Sequence, residues 1–253
     1  METPLTVFDQ ALAEVYAALP EQLAQELVEE AEAKSPLAHL DINATTQQFA
    51  AELLLLRQRC RNGMENILEK LKTTPELATK GKALDEFLHT TFQAVLTPST
   101  FTRTVLRLVA GETWAEALKI PPESIDLMYQ GAKSLFEEGL YEQASLCFTF
   151  LSWFDSRQYE FWMALGHCQF HTDSYLAAIR SYGVASVCLP TESMPFLYSA
   201  SCFEAMGDIE QATLYLQEGM SREKAAATPN QSLIASIEKK MDETKKGFIS
   251  PIS

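Results

Sequence analysis

The chain has 253 residues, of which 47% are hydrophobic and 21% are charged, and this is the composition of a globular protein rather than a disordered one. It carries 34 acidic residues against 20 basic ones, which gives a formal net charge of −14. Such a surface repels phosphate groups, so the composition argues against nucleic-acid binding and against attraction to acidic membrane lipid.

The start of the chain lacks the features of an exported protein. Residues 1–16 contain acids but no basic segment followed by an apolar run, and no apolar run anywhere reaches the length of a membrane span. The five cysteines form an odd set without a Cys-x-x-Cys pair, which suits buried thiols in a reducing compartment. We therefore predict a cytoplasmic protein without stable membrane insertion.

Helical periodicity without a repeat runs through the first hundred residues. Helices are predicted at residues 7–19, 20–33, 45–72, 75–96 and 98–110. The third of them has an apolar stripe spaced by three and four residues, namely Phe49, Leu53, Leu56, Cys60, Met64, Ile67 and Leu71. Further core residues are expected at Phe87, Phe92, Phe101, Leu106 and Val109. Residues 1–105 are thus predicted to form a helical bundle, whose role the sequence does not indicate.

A 34-residue repeat organises the chain from about residue 125. Its three copies, at about 125–158, 159–192 and 193–226, align without a gap. Each copy has an alanine three residues after an aromatic or aliphatic residue, a small residue twelve positions before that alanine, and a large one four positions after it. The alanines are Ala144, Ala178 and Ala212, the small residues are Ala132, Gly166 and Ala200, and the large residues are Phe148, Tyr182 and Leu216.

This pattern is typical of tetratricopeptide helical hairpins. Small residues let two antiparallel helices approach closely, so we expect Gly166 to meet Ala178. Turns are predicted at residues 137–139, 172–174 and 207–208, where Gly, Asp and Ser end one helix and cap the next. Residues 230–246 carry apolar residues on one face and are predicted to form a C-terminal capping helix.

The predicted fold is therefore all-α. Three tetratricopeptide-type hairpins form a short right-handed solenoid that ends in the capping helix and is preceded by the N-terminal helical bundle. The predicted domains are residues 1–105, residues 106–228 with the repeats, and residues 229–253 with the capping helix and tail.

The sequence contains no glycine-rich phosphate loop, no Gly-x-Ser-x-Gly and no His-Glu-x-x-His. His167, Cys168 and His171 have the spacing of metal ligands, but no further ligand joins them on that helical face, so a place in a groove lining is favoured. Cys168 and Cys202 occupy the same repeat position, which favours buried packing over nucleophilic catalysis. We predict a protein that is not an enzyme and needs no metal or cofactor; an enzyme site in the N-terminal domain is the minor alternative.

The first helices of stacked hairpins line their concave side, and the repeat frame gives the positions that point inward. Large apolar residues are more frequent there than scattered exposure explains. We predict a groove whose aromatic pockets bind apolar anchors of an extended segment; coverage by the N-terminal helices or a dimer partner is the alternative. The predicted groove residues are Tyr129, Lys133, Phe136, Met163, His167, Phe170, His171, Leu197, Tyr198 and Ser201.

Four motifs between Leu106 and Glu223 point to one family. They are Gly-x-Thr at residues 111–113, Tyr…Gly-x-Tyr-x-x-Ala in the first repeat, Phe-Trp…Leu-Gly-x-Cys in the second, and Pro-Phe…Ala-x-Cys…Gly-Asp in the third. Together they resemble the translocator chaperones of bacterial type III secretion, the SycD/LcrH group. Residues 1–100 lie outside this resemblance.

The resemblance implies a chaperone in the bacterial cytoplasm. It would bind extended N-terminal segments of hydrophobic, pore-forming translocator proteins and keep them soluble and competent for export. It also allows a homodimer. At Lys133, His167 and His171 the sequence departs from the residues common in the family. The alternative function is a tetratricopeptide scaffold that joins folded protein partners.

Overall fold

The structure is a computed structural model that describes residues 42–95 and 97–249, and these residues form helices and no strand. This confirms the predicted all-α fold class. The helices predicted at residues 7–19 and 20–33 lie outside the described residues. The helices are α1 (Ile42–Thr73), α2 (Ala78–Val95), α3 (Pro98–Val109), α4 (Trp114–Ala117), α5 (Pro122–Glu137), α6 (Tyr141–Phe154), α7 (Tyr159–His171), α8 (Tyr175–Cys188), α9 (Met194–Ala205), α10 (Ile209–Ala225) and α11 (Gln231–Ile249).

The chain divides into two compact units, with the boundary between Ser134 and Leu135 inside α5. In the first unit, α1 packs against α2, α2 against α3 and α3 against α4. In the second unit, α6 to α11 each pack against the next helix in the chain. Neighbour-to-neighbour packing of this kind is the pattern of repeat proteins. The predicted division at residues 105 and 228 stays a prediction.

The core of the first unit follows the predicted stripe of α1. The last four residues of that stripe, Cys60, Met64, Ile67 and Leu71, are buried. Gly81 of α2 lies so close to α1 that a Cβ added to the glycine would be 2.8 Å from the Cβ of Leu71. Phe92 is buried as predicted. The prediction for Leu106 is wrong: its side chain is 64% exposed. Thr104 of α3 is buried, and a residue two positions further lies on nearly the opposite side of a helix.

The segment before α4 folds around a glycine and a capping box. Gly111 has a φ of +89°, and its N–H donates to the carbonyl of Leu108 as α3 ends. The Thr113 hydroxyl accepts the N–H of Glu116 at 3.2 Å, and the Thr113 N–H donates to the Glu116 carboxylate at 2.7 Å. This is the physical reason for the Gly-x-Thr motif of the sequence.

Three turns of the repeat region share one backbone geometry. Gly139, Asp173 and Gly207 stand 34 residues apart, and all have positive φ, at 79°, 55° and 79°. After each of them, the next residue donates its N–H to a carbonyl five positions back, which closes a Schellman turn at the helix end. The turns therefore fall where the sequence predicts them, and the 34-residue period is a period of the backbone.

The small residues of the repeat are buried as predicted. Ala144, Ala178, Ala200 and Ala212 are fully buried. The ring of Tyr182 fills the space beside Gly166, since a Cβ on Gly166 would lie 2.7 Å from Cδ1 of that ring. Tyr182 lies one helical turn beyond Ala178 on the same face of α8, and its longer side chain reaches the glycine first.

Candidate functional site

The predicted groove residues fall into both units. Tyr129 and Lys133 belong to the first unit, where Tyr129 is half-buried and Lys133 is exposed. The other eight belong to the second unit and lie on the end of α5, on α7 and on α9, the first helices of the predicted hairpins. We call these eight residues the groove face. They are Phe136, Met163, His167, Phe170, His171, Leu197, Tyr198 and Ser201.

One end of the groove face is a cluster of aromatic rings. The imidazole of His171 stacks on the ring of Tyr141 at a centroid distance of 4.2 Å and an interplanar angle of 8°. Phe136 meets both rings edge-on, at 5.1 Å from Tyr141 and 5.7 Å from His171. Phe170 contacts Tyr175 at 5.5 Å. Phe136, Tyr141 and Phe170 are half-buried, and His171 is exposed, so the cluster is both ordered and accessible.

The middle of the groove face is a network around His167. Its Nδ1 lies 2.9 Å from the hydroxyl of Tyr182, and its ring meets that of Tyr198 at 4.4 Å. Burial, and to a lesser degree the neighbouring His171, hold the pKa of His167 below its usual value. Burial likewise raises the pKa of Tyr182 well above its usual range. Both groups are therefore neutral at pH 7, and the network presents uncharged rings.

Two apolar members of the groove face are more enclosed than expected. Met163 is only 7% exposed and packs in the core with Ala178, Tyr182 and Cys202, whereas the sequence predicted an accessible side chain. Its position on α7 faces both α8 and α9, and their side chains close over it. Leu197 is half-buried and packs on Gly219: a Cβ added to that glycine would lie 2.6 Å from Cδ2 of Leu197.

The far end of the groove face is polar, and the capping helix contributes to it. Lys240 of α11 donates to the Ser201 hydroxyl at 3.0 Å and pairs with the Glu204 carboxylate at 2.9 Å. The repeat frame does not predict Lys240 as a groove residue, and it does not place Tyr141 or Tyr182 there either. The sequence does mark the two tyrosines, because both stand at fixed positions of the repeat.

The cysteines are placed for packing rather than chemistry. Burial raises the pKa of Cys168 to about 12 and that of Cys202 to about 11, so their thiolates are scarce at neutral pH. Among the described residues, no group of three or more His, Cys, Asp and Glu side chains is arranged to hold a metal ion. His167 and His171 instead contact tyrosine rings.

Within residues 42–95 and 97–249, no helix combines the length and the apolar character that crossing a bilayer requires.

No protein-family model and no curated protein sequence matches the chain. Several solved structures are similar to it. A type III secretion complex from Aeromonas hydrophila matches at a TM-score of 0.52 and 20% identity, over 56% of this chain and 95% of that one. The translocator chaperone SycD of Yersinia enterocolitica matches at a TM-score of 0.48 and 23% identity, over 52% of this chain and 98% of SycD. PcrH of Pseudomonas aeruginosa, in complex with the chaperone binding region of PopD, matches at a TM-score of 0.47 and 17% identity. That match covers 51% of this chain and 96% of PcrH.

Of these structural neighbours, SycD is a type III secretion translocator chaperone, and PcrH is seen bound to the chaperone binding region of PopD. At such identities the likeness is one of fold.

Proposed function

We propose that the chain is a chaperone that holds an extended, apolar segment of a secreted translocator protein on the groove face in the bacterial cytoplasm. The observation that carries the proposal is the set of ordered aromatic rings at Phe136, Phe170, His171 and Tyr198. Each of them is held by contacts to other rings, and each keeps part of its surface open to solvent.

Rings that are fixed before binding suit this task. A client side chain that enters between them gains buried apolar area, while the chaperone loses little conformational freedom. The neutral state of His167 and Tyr182 serves the same end, since a charged group beneath the pocket would have to be desolvated. The polar end at Ser201, Glu204 and Lys240 offers hydrogen bonds to the backbone of an extended segment.

The comparisons support the proposal at the level of fold. Among the structural neighbours, PcrH was crystallised with the chaperone binding region of PopD, and SycD with a peptide of the translocator YopD. We assign this chain a client of the same kind, a secreted protein with long apolar helices. The neighbours are chaperones rather than enzymes, and the proposal includes that this chain acts by binding alone.

The test is to co-express the chain with such a protein from a neighbouring gene and to measure the affinity for the client's N-terminal segment. Replacing Phe136, Phe170 or Tyr198 by alanine should each weaken binding by about 1–3 kcal/mol, because an apolar anchor loses its pocket. The affinity is measured by isothermal titration calorimetry, and circular dichroism checks that the helical content is unchanged.

The matched control is E210K, a charge reversal on the exposed second helix α10, which should leave the affinity unchanged. If all three alanine variants bind like the wild type, the groove face is not the client site. If the chain binds only folded partners and leaves the apolar client insoluble, it acts as a scaffold instead.

A further inference from the structure

A cavity of about 380 Å³ lies between the helices of the first unit. It is lined by α2 between residues 87 and 95, by α3 between residues 100 and 107, and by residues 117–119 at the end of α4. This volume is within the range of sites that hold small molecules, and a bare inorganic ion would fill only a small part of it. We call it the basic pocket, because Arg103, Arg107 and Lys119 line it.

The basic pocket concentrates positive charge in a chain whose net charge is −14. Among the described residues that line it, none is acidic. Arg107 has a carboxylate close by, because its guanidinium pairs with Glu112 and also donates to the carbonyl of Ala117 at 2.8 Å. The charge of Arg107 is therefore balanced, and this side chain holds the end of α4 against α3.

Arg103 and Lys119 have no such counterion. The Arg103 guanidinium donates to the Thr100 hydroxyl at 3.3 Å, and neither cation forms an ion pair with a described residue. Arg103 also lies one helical turn from Arg107 on the same face of α3, a spacing at which like charges repel. The pocket thus holds two positive charges that the described part of the chain does not balance.

Lys119 occupies a backbone position that favours glycine. Its φ is +55°, and a Schellman turn closes around it at the end of α4. The Lys119 N–H donates to the carbonyl of Glu116 at 3.0 Å, and the Ile120 N–H donates to that of Ala115 at 2.9 Å. A glycine would make this turn without strain, and backbone strain of this kind is concentrated at functional sites. The lysine therefore indicates that its side chain is used.

The rest of the wall suits an organic group. Phe87 and Leu118 line the pocket and are half-buried, and Val95 beside them is buried. The hydroxyls of Thr90 and Thr91 donate to carbonyls one turn back in α2, at 2.9 Å and 2.8 Å, so they are already satisfied as donors. A ligand would meet its hydrogen-bond donors at the cations and carbon atoms elsewhere.

We propose that the basic pocket binds a small organic phosphate monoester, with its phosphate at Arg103 and Lys119 and its carbon part against Phe87 and Leu118. A phosphate monoester carries a charge of about −1.5 to −2 at neutral pH, which balances two cations, whereas a carboxylate balances one. A guanidinium matches two phosphate oxygens at once, and the Thr100 hydroxyl, which accepts from Arg103, keeps its own proton to donate. The proposal does not rest on the groove face, which belongs to the second unit.

The test is isothermal titration calorimetry of the full-length chain with phenyl phosphate, which joins a phosphate to a flat apolar ring. One saturable site per chain is expected. Inorganic phosphate lacks the ring, and benzoate carries a single negative charge on the same ring. Each should therefore bind at least about tenfold more weakly than phenyl phosphate.

Two variants test the residues. R103Q and K119G each remove one cation and should weaken the binding of phenyl phosphate by about tenfold or more, because a hydrogen bond from a charged donor is lost. K82Q is the matched control: it removes an exposed lysine of α2 outside the pocket and should bind like the wild type.

The K119G variant also separates binding from folding. Glycine relieves the left-handed strain, so the melting temperature should rise or stay unchanged while the affinity falls. The proposal is overturned if phenyl phosphate shows no saturable binding, if benzoate or inorganic phosphate binds equally well, or if R103Q and K119G bind like the wild type.

Discussion

At the scale of single residues, the ring of Tyr182 takes the space that Gly166 leaves on α7 and from there reaches His167 and Tyr198. One glycine therefore sets both the spacing of the hairpin and the position of the ring network behind the groove face. The alanine pattern of the repeat marks the helix faces that meet, and at residue 166 the missing side chain makes room for the Tyr182 ring.

G166A should lower the free energy of unfolding by about 1–3 kcal/mol, because its Cβ would overlap the Tyr182 ring in a filled core. Urea denaturation measures the change. G183A provides the contrast: the same substitution on α8, where a Cβ meets nothing, should stabilise the chain by about 0.5–1 kcal/mol. Equal effects of the two substitutions would contradict the packing described around Gly166.

His167 should make stability depend on pH. Burial lowers its pKa in the folded chain, so below its unfolded value of about 6.5 the unfolded chain binds more protons. The contribution of the neutral imidazole to the free energy of unfolding is fully present above the unfolded pKa. It is lost as the pH falls toward the lower pKa of the folded chain. The groups that face it are the rings of Tyr182, Tyr198 and His171, and none of them is a carboxylate that could offset this loss.

The measurement is urea denaturation of the wild type and H167Q between about pH 7.5 and about pH 5.5, a range that brackets the unfolded pKa. The advantage of the wild type over H167Q should shrink toward acid, whereas the carboxylates of the chain affect both proteins alike. A difference between the two proteins that does not change with pH would show that His167 is not buried as described.

The sequence predicts which residues are buried more accurately than it predicts which side chains contact one another. Periodicity assigns a residue to a face of a helix, and on that basis the burial of Ala144, Ala178 and Ala212 is confirmed. It does not give the length or direction of a neighbouring side chain, so it did not predict that the Tyr182 ring fills the space beside Gly166. The enclosure of Met163 has the same cause, since it depends on side chains from two other helices.

At the scale of elements, the turns that end α5, α7 and α9 are equivalent in backbone but not in sequence. Gly139 and Gly207 adopt positive φ without cost, whereas Asp173 adopts it with a side chain that also accepts the Tyr175 hydroxyl at 2.6 Å. The turns predicted from Gly, Asp and Ser are thus confirmed for a physical reason, the left-handed residue that each Schellman turn requires.

Substitutions at two of these turns should change the stability of the chain in opposite directions. G207A forces an alanine into the left-handed region and should destabilise the chain by about 1–2 kcal/mol, whereas D173G relieves the same strain and should stabilise it by less than about 1 kcal/mol. Thermal unfolding followed by circular dichroism checks both. A destabilised D173G variant would mean that the hydrogen bond to Tyr175 outweighs the backbone strain.

The capping helix shows where prediction from sequence ends at this scale. Its one-sided apolar stripe indicated a helix that covers the last hairpin, and Ile234, Ile237 and Met241 are buried as that requires. The contact of Lys240 with Ser201, 39 residues earlier in the chain, depends on how far along its axis α11 is placed. No periodic pattern encodes such a displacement, so the polar end of the groove face emerged only from the structure.

At the scale of the whole molecule, charge should govern self-association. Each copy carries a net charge of −14, so the long-range force between two copies is repulsive. Raising the salt concentration from about 20 mM to about 300 mM should therefore strengthen self-association, because it screens that repulsion. Sedimentation equilibrium at both concentrations measures it. Weaker association in high salt would indicate an interface held by ion pairs.

The turns at Gly139, Asp173 and Gly207 also bear on how the gene can change. Each turn closes with the same backbone hydrogen bonds, so two cuts made 34 codons apart leave ends that match in direction and register. A duplication or an in-frame deletion between two turns then adds or removes one hairpin and needs no new linker. Selection could lengthen or shorten the proposed client-binding surface in steps of whole hairpins, and a protein engineer could use the same joints.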